Sequence, residues 1–337
     1  MPTARRSARA AVLAAVLVPT VCASSAAAAA PGNRPGDQPT GPVREVVSFG
    51  DSWSDAGTFG YVFGTTPGEA WPQLLAAEYG ADQEVNRLVT QGEDGAVLSE
   101  ETVGGLNYAE GGAFVAPITD DPDGTPRPMT AQLEAFLDEH GSFDSHQLVT
   151  VWAGGNDILT YLAGDEEQAA RFVVGDLTGE EIEQATDEVV AVARREADLV
   201  ADVLAAGAKR VAVLNMIDLG ITAEGPGIQA GGNALAGALT TTFNLALAEA
   251  LPEDRRVRLV DVAGLFADVE ASPAEYGFEV VDGDACTNAG FSCGPDAWVT
   301  PDADRTYAFA GYGHFTAATR ELIAGFVHDE AAAAWHV

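Results

Sequence analysis

Apolar and polar positions along this chain change their period in blocks. Residues 44–49, "REVVSF", form a short β-branched run closed by glycine and acid, the pattern of a buried strand. Similar runs recur at 146–152, "HQLVTVW", at 209–216, "KRVAVLNM", and at 256–262, "RVRLVDV". Between them the period lengthens. "AWPQLLAAEYG" predicts a helix closing on Gly80. Thr178–Ala206 predicts a long one: it opens on a Thr-Gly-Glu-Glu capping pattern, carries apolar residues through Val189, Leu199 and Val203, and stops at Gly207. Strands alternating with helices predict an α/β fold, with a mostly parallel sheet covered by helices on both faces, in one domain. In such sheets ligands gather beyond the carboxyl ends of the strands. Ser52 and Asn156 each fall just past a predicted strand end.

The ends of the chain follow other rules. Residues 1–30 combine Arg5, Arg6 and Arg9 with the short apolar stretch "AAVLAAVLVPTV" and a small-residue run to Ala30, which predicts a secretory signal peptide. That stretch is too short to span a bilayer, and Val21 before Cys22 argues against a lipid-anchoring signal. Residues 31–42, "PGNRPGDQPTGP", predict a flexible linker. The domain is then expected at 43–328, with a tail at 329–337.

Of 337 residues, 17 are Lys or Arg and 51 are Asp or Glu, a net charge of −34. Losing the leader removes three arginines and no acid, so the excess deepens. Such a chain excludes nucleic acid as a partner and disfavours anionic lipid surfaces; the charge reads as solubilising. No later segment reaches membrane-spanning length. Cys286 and Cys293 remain as a close pair without nearby histidine, so a disulfide is expected rather than zinc, with stabilisation on the order of 2–3 kcal/mol.

Four separated pieces carry the types that acyl transfer needs. "GDSWSDAG" offers Ser52, "NYAEGGA" a glycine turn at Gly112, "VWAGGND" Asn156, and "GYGHFT" His314. A serine hydroxyl needs a base such as imidazole, and a tetrahedral intermediate needs hydrogen-bond donors at its oxyanion.

These blocks, in this order, resemble the GDSL or SGNH hydrolases over about Val46 to Phe326, with Trp53 where leucine is usual. "VAVLNMIDLGITA" adds to the likeness. The resemblance implies a flavodoxin-like three-layer α/β/α fold, hydrolysis of carboxylic esters, and Ser52 as nucleophile with His314 as base. It also implies an oxyanion hole from the amides of Ser52 and Gly112 and the side chain of Asn156. The expected protein is a secreted lipase- or phospholipase-like esterase acting on small-molecule or lipid esters. A carbohydrate O-acetylesterase and a non-catalytic lipid or glycan binder stand as alternatives.

One block departs from the pattern. The family carries Asp three residues before the histidine and His-Pro after it; here the run is Gly311-Tyr312-Gly313-His314-Phe315. Losing the residue that orients the imidazole is costly in rate. A carbonyl near Gly311, a small anion such as chloride in the vacant space, or an impaired site would each account for the change. Survival of the other four residues favours a working site, and the room left by glycine favours the anion. Asp302 and Asp304 lie upstream, but nothing in the sequence sets them beside the imidazole.

Each residue also has a plainer reading. Ser52 and Asn156 suit turns, and Gly112 a tight bend. Asp51, Asp55 and Asp157 suit loop bracing better than a metal site. Trp53 and Trp152 suit core packing as well as a pocket wall. His140, His146, His328 and His336 stand in no motif.

Overall fold

The computed structural model describes residues 41–92, 95–117, 125–221, 230–287 and 290–337. The expected signal peptide and all but the last two residues of the expected linker lie outside them. In chain order the elements are β1 (Glu45–Gly50), β2 (Gly64–Thr65), α1 (Trp71–Glu78), β3 (Arg87–Gln91), β4 (Val97–Thr102), α2 (Met129–His140) and β5 (Gln147–Trp152). Then come α3 (Gly155–Ala163), α4 (Glu166–Val174), α5 (Gly179–Ala205), β6 (Val211–Leu214), α6 (Ala230–Ala250), β7 (Val257–Val260) and α7 (Val262–Ala271). The chain finishes with β8 (Val280–Asp284), β9 (Ser292–Cys293), α8 (Ala303–Thr306), β10 (Tyr307–Gly311), β11 (His314–Phe315) and α9 (Ala317–Trp335).

The four apolar runs become one parallel sheet in the order β1-β5-β6-β7. β1 and β5 are in register from Glu45 opposite Gln147 to Gly50 opposite Trp152, so their carboxyl ends finish side by side. That alignment puts the segments carrying Ser52 and Asn156 at one edge of the sheet. Helices α1 and α9 pack on each other, and α3 and α6 both pack on α5. The sheet lies between helical layers, the expected three-layer α/β arrangement.

Local chemistry sets the boundaries. The Thr178 hydroxyl accepts from the Glu181 amide at 3.3 Å while the Glu181 carboxylate accepts from the Thr178 amide at 2.7 Å, closing the capping box that starts α5. The buried side of α5 includes Val189, Leu199 and Val203. The run at 256–262 is shorter as a strand than expected. Asp261 leaves the ladder to cap α7, accepting from the Gly264 amide at 3.0 Å, and Val262 is already helical.

The tail expected at 329–337 is corrected: α9 continues to Trp335. Ala331 and Trp335 are buried, and the Trp335 indole donates to the Arg255 carbonyl at 3.0 Å, so this segment belongs to the domain.

Two features were not foreseen. β3 and β4 form an antiparallel hairpin, and β8, β10 and β11 form a second small sheet. β10 and β11 are joined through Tyr312 and Gly313, both at positive φ (51° and 67°), a turn in which Gly311 pairs with His314. Among the described residues no helix is long and apolar enough to cross a membrane.

Candidate active site

The chain leaves β1 at Gly50 and turns at once. The amides of Ser54 and Asp55 both donate to the Asp51 carbonyl at 3.0 Å, and this tight turn presents Ser52 beyond the strand. After β5 the chain turns through Gly154 into α3, whose second residue is Asn156. Gly154 adopts φ +114°, and a β-carbon there would lie 2.7 Å from the Phe243 ring, so a side chain is excluded twice over. His314 arrives from the opposite side on the β10–β11 hairpin. Its Nε2 lies 3.0 Å from the Ser52 Oγ, across 262 residues of sequence.

Ser52, Gly112, Asn156 and His314 all line one cavity of about 260 Å³. Among the described residues, the amides of Ser52 and Gly112 donate to no protein acceptor. The Asn156 amide gives one hydrogen to the Ala113 carbonyl at 3.0 Å and keeps a second. Its place in the first turn of α3 adds the positive end of the helix dipole. Three donors and a hydroxyl–imidazole pair therefore open on one space. Phe63 and Phe291 flank the imidazole, with ring centroids 5.1 and 5.9 Å away, and Tyr61, Leu159 and Leu219 extend the apolar wall.

Burial controls the electrostatics. It pulls the His314 pKa down to about 4, against a smaller opposing effect of the Gly311 backbone. The imidazole is thus neutral at pH 7. Accepting from Ser52 at Nε2 requires the proton on Nδ1, and that buried nitrogen has no hydrogen-bond partner of good geometry among the described residues. Asp51, Asp55 and Asp157 are pushed up to about 7, 6 and 7, each chiefly by burial. Each accepts from at least one loop amide. Asp51 accepts from Trp53 at 3.0 Å and Asp157 from Val115 at 3.1 Å. Asp55 accepts from Gly57, Thr58 and Gly111 at 2.7–2.8 Å.

A family model described as GDSL-like Lipase/Acylhydrolase matches residues 46–325. The chain belongs to that family. Among solved structures, a phospholipase A1 from Streptomyces albidoflavus NA297 is 15% identical with a TM-score of 0.43, covering 77% of this chain and 94% of that one. An acetylxylan esterase from Geobacillus stearothermophilus is 14% identical (TM-score 0.40; 86% and 94% covered). A lipase/acylhydrolase from Enterococcus faecalis is 15% identical (TM-score 0.36; 86% and 95% covered). No curated protein sequence matches the chain.

Against the GDSL pattern, the remaining sequence candidates divide clearly. Trp152 is fully buried, whereas Trp53 is both packed in the core and part of the cavity wall. The two tryptophan rings meet at a tilt of 49°, 4.8 Å between centroids, and Trp53 donates its indole N–H to the Gly313 carbonyl. Cys286 and Cys293 are disulfide-bonded, and Phe291 between them reaches the cavity. Sequence reasoning missed Glu110. Fully buried, it accepts from Arg87 Nη2 and Arg127 Nε, each at 2.6 Å, and from the Arg127 amide at 2.8 Å, directly before Gly111 and Gly112. Its signal was an acid inside the "NYAEGGA" block, whose cations lie elsewhere in the chain.

Proposed function

We propose that this GDSL-family hydrolase is a secreted serine esterase cleaving carboxylic esters with lipid-like acyl groups. The observation that carries the reading is the 3.0 Å approach of His314 Nε2 to Ser52 Oγ beside two uncommitted backbone amides. The Ser52 proton passes to Nε2 as Oγ bonds to the acyl carbon. The amides of Ser52 and Gly112 and the free hydrogen of Asn156 take the oxyanion, each donor contributing about 2.7–4 kcal/mol to the barrier reduction. Collapse breaks the bond to the alcohol, which leaves with the proton from His314. Water, activated by the same imidazole, then releases the acid and restores Ser52. The basic-apolar leader and the disulfide support an exported enzyme.

A second reading, a carbohydrate O-acetylesterase, is favoured by the small size of the cavity, about 260 Å³, which suits a short acyl group. A fluorophosphonate is expected to label Ser52, and Ser52→Ala to lose ester hydrolysis by at least ~10³-fold. Absence of labelling and of hydrolysis would make the protein a binder. A p-nitrophenyl ester chain-length series, run against acetylated sugars and phospholipids, separates the two substrate readings.

A further inference from the structure

The position that carries the orienting acid in the family holds Gly311, yet the space beside it is not free of carboxylate. A β-carbon built on Gly311 would lie 3.7 Å from Cγ and 3.8 Å from Oδ2 of Asp284. Asp284 is the last residue of β8 and pairs with Phe309 of β10, the strand whose end at Gly311 faces His314 across the hairpin. The carboxyl thus reaches the neighbourhood of position 311 from the adjoining strand.

Two further observations give this placement meaning. Among the described residues the Asp284 carboxyl has no cation and no hydrogen-bond donor; burial alone acts on it, raising its pKa. The Nδ1 of His314, which must carry the proton when Nε2 accepts from Ser52, is approached by the Gly311 backbone but has no hydrogen-bond partner of good geometry. A weakly held donor and a carboxylate without a donor therefore flank one turn.

We propose that Asp284 is the positioning acid of His314, supplying from β8 the negative charge that a residue at 311 supplies elsewhere in the family. The proposal rests on the serine-esterase reading above. In this arrangement Asp284 touches neither substrate nor Ser52. It acts through the imidazole, its charge favouring the imidazolium formed when Ser52 gives up its proton, while the Gly311 backbone faces the ring. The other titratable groups at the cavity are Asp51, Tyr61 and Tyr312, and the Asp51 carboxylate is turned to the Trp53 amide. A carboxylate in this position also competes with chloride for the gap beside Gly311, because like charges exclude one another there.

The test is Asp284→Asn, with Asp284→Glu as the conservative partner, in the full chain. Asp284 is exposed, so both variants are expected to fold with unchanged circular dichroism. The imidazole titration of His314 is followed by NMR, and kcat is measured across pH in chloride-containing and halide-free buffers. In Asp284→Asn the His314 pKa is expected to fall by about one unit. The acid limb of kcat should move down with it, and the plateau should drop by about tenfold or more. Asp284→Glu should recover much of both, and wild-type activity should not depend on halide. An unchanged His314 titration in Asp284→Asn overturns the proposal, whatever happens to kcat. So does wild-type activity that disappears without chloride and returns with it. Should the wild type neither hydrolyse esters nor react with a fluorophosphonate, the esterase reading fails, while the NMR titration still decides whether Asp284 and His314 are coupled.

Discussion

The indole Nε1 of Trp53 donates to the carbonyl of Gly313 at 3.1 Å, joining the turn that presents Ser52 to the hairpin that presents His314. The Ser52–His314 hydrogen bond at 3.0 Å joins the same two segments. Trp53 also packs on Trp152 and Phe315, at 4.8 and 5.5 Å between centroids, so the bond is anchored in the core. Trp53→Phe keeps most of the packing and removes the donor. The expected result is a loss of about 1–3 kcal/mol of stability, from the unpaired buried carbonyl. A fall in kcat of roughly tenfold should accompany it with KM little changed, because proton transfer depends on the Ser52–His314 distance. Denaturant titration and steady-state kinetics check both.

The buried imidazole predicts the acid limb of activity. A base with an ordinary histidine pKa would be half protonated near 6.5; burial moves His314 down towards 4. The neutral form needed to accept from Ser52 therefore persists well below pH 6. The kcat/KM profile of the wild type should stay flat from neutrality to about pH 6 and fall only below it. A midpoint at 6.5 or above would place the imidazole in a wetter site.

The glycine turn at 111–112 depends on an ion pair that sequence alone does not connect. Glu110 is fully buried between Arg87 and Arg127, and Asp55 holds the Gly111 amide at 2.8 Å. Glu110→Gln keeps the shape but leaves the nearly buried Arg127 guanidinium without its anion and Arg87 with Glu100 alone. Loss of about 3–5 kcal/mol is expected in urea unfolding. Surviving folded protein should show reduced kcat, since the Gly112 amide loses its brace.

What was legible in the sequence was what local patterns encode. The four central strands, the capping box of Thr178 and Glu181, and the glycine stops at Gly80 and Gly207 are short-range chemistry. The small sheet of β8, β10 and β11 escaped because its strands are brief and their pairing is non-local. The same non-locality hid Asp284, whose neighbour Gly311 is 27 residues away along the chain. "DEAAAAW" at 329–335 looked like a tail because alanines carry helix propensity without a strong apolar stripe. Only the pocket for Trp335 beside Arg255 makes the segment part of the domain. The bond from Trp53 to Gly313 is of the same kind, since it requires the hairpin before it has a partner.

The buried acids predict an unusual dependence of stability on pH. Asp51, Asp55 and Asp157 have folded-state pKa values near 7, 6 and 7, against an unfolded value of 3.8. Glu196 is raised well above 4.5, first by burial and then by Asp157 and Asp51, and neither of its oxygens has a partner among the described residues. Between about pH 4 and 7 the folded protein holds protons that the unfolded chain has released. Stability must then fall as pH rises through that window, the reverse of a protein whose carboxylates are salt-bridged. The melting temperature should decline from pH 5 to pH 8. Glu196→Met removes the acid whose ionisation is opposed most strongly and fills the space with an apolar chain of similar length. That variant should melt higher than the wild type, by a margin that grows with pH, and a margin independent of pH would show that Glu196 does not titrate against its two neighbours.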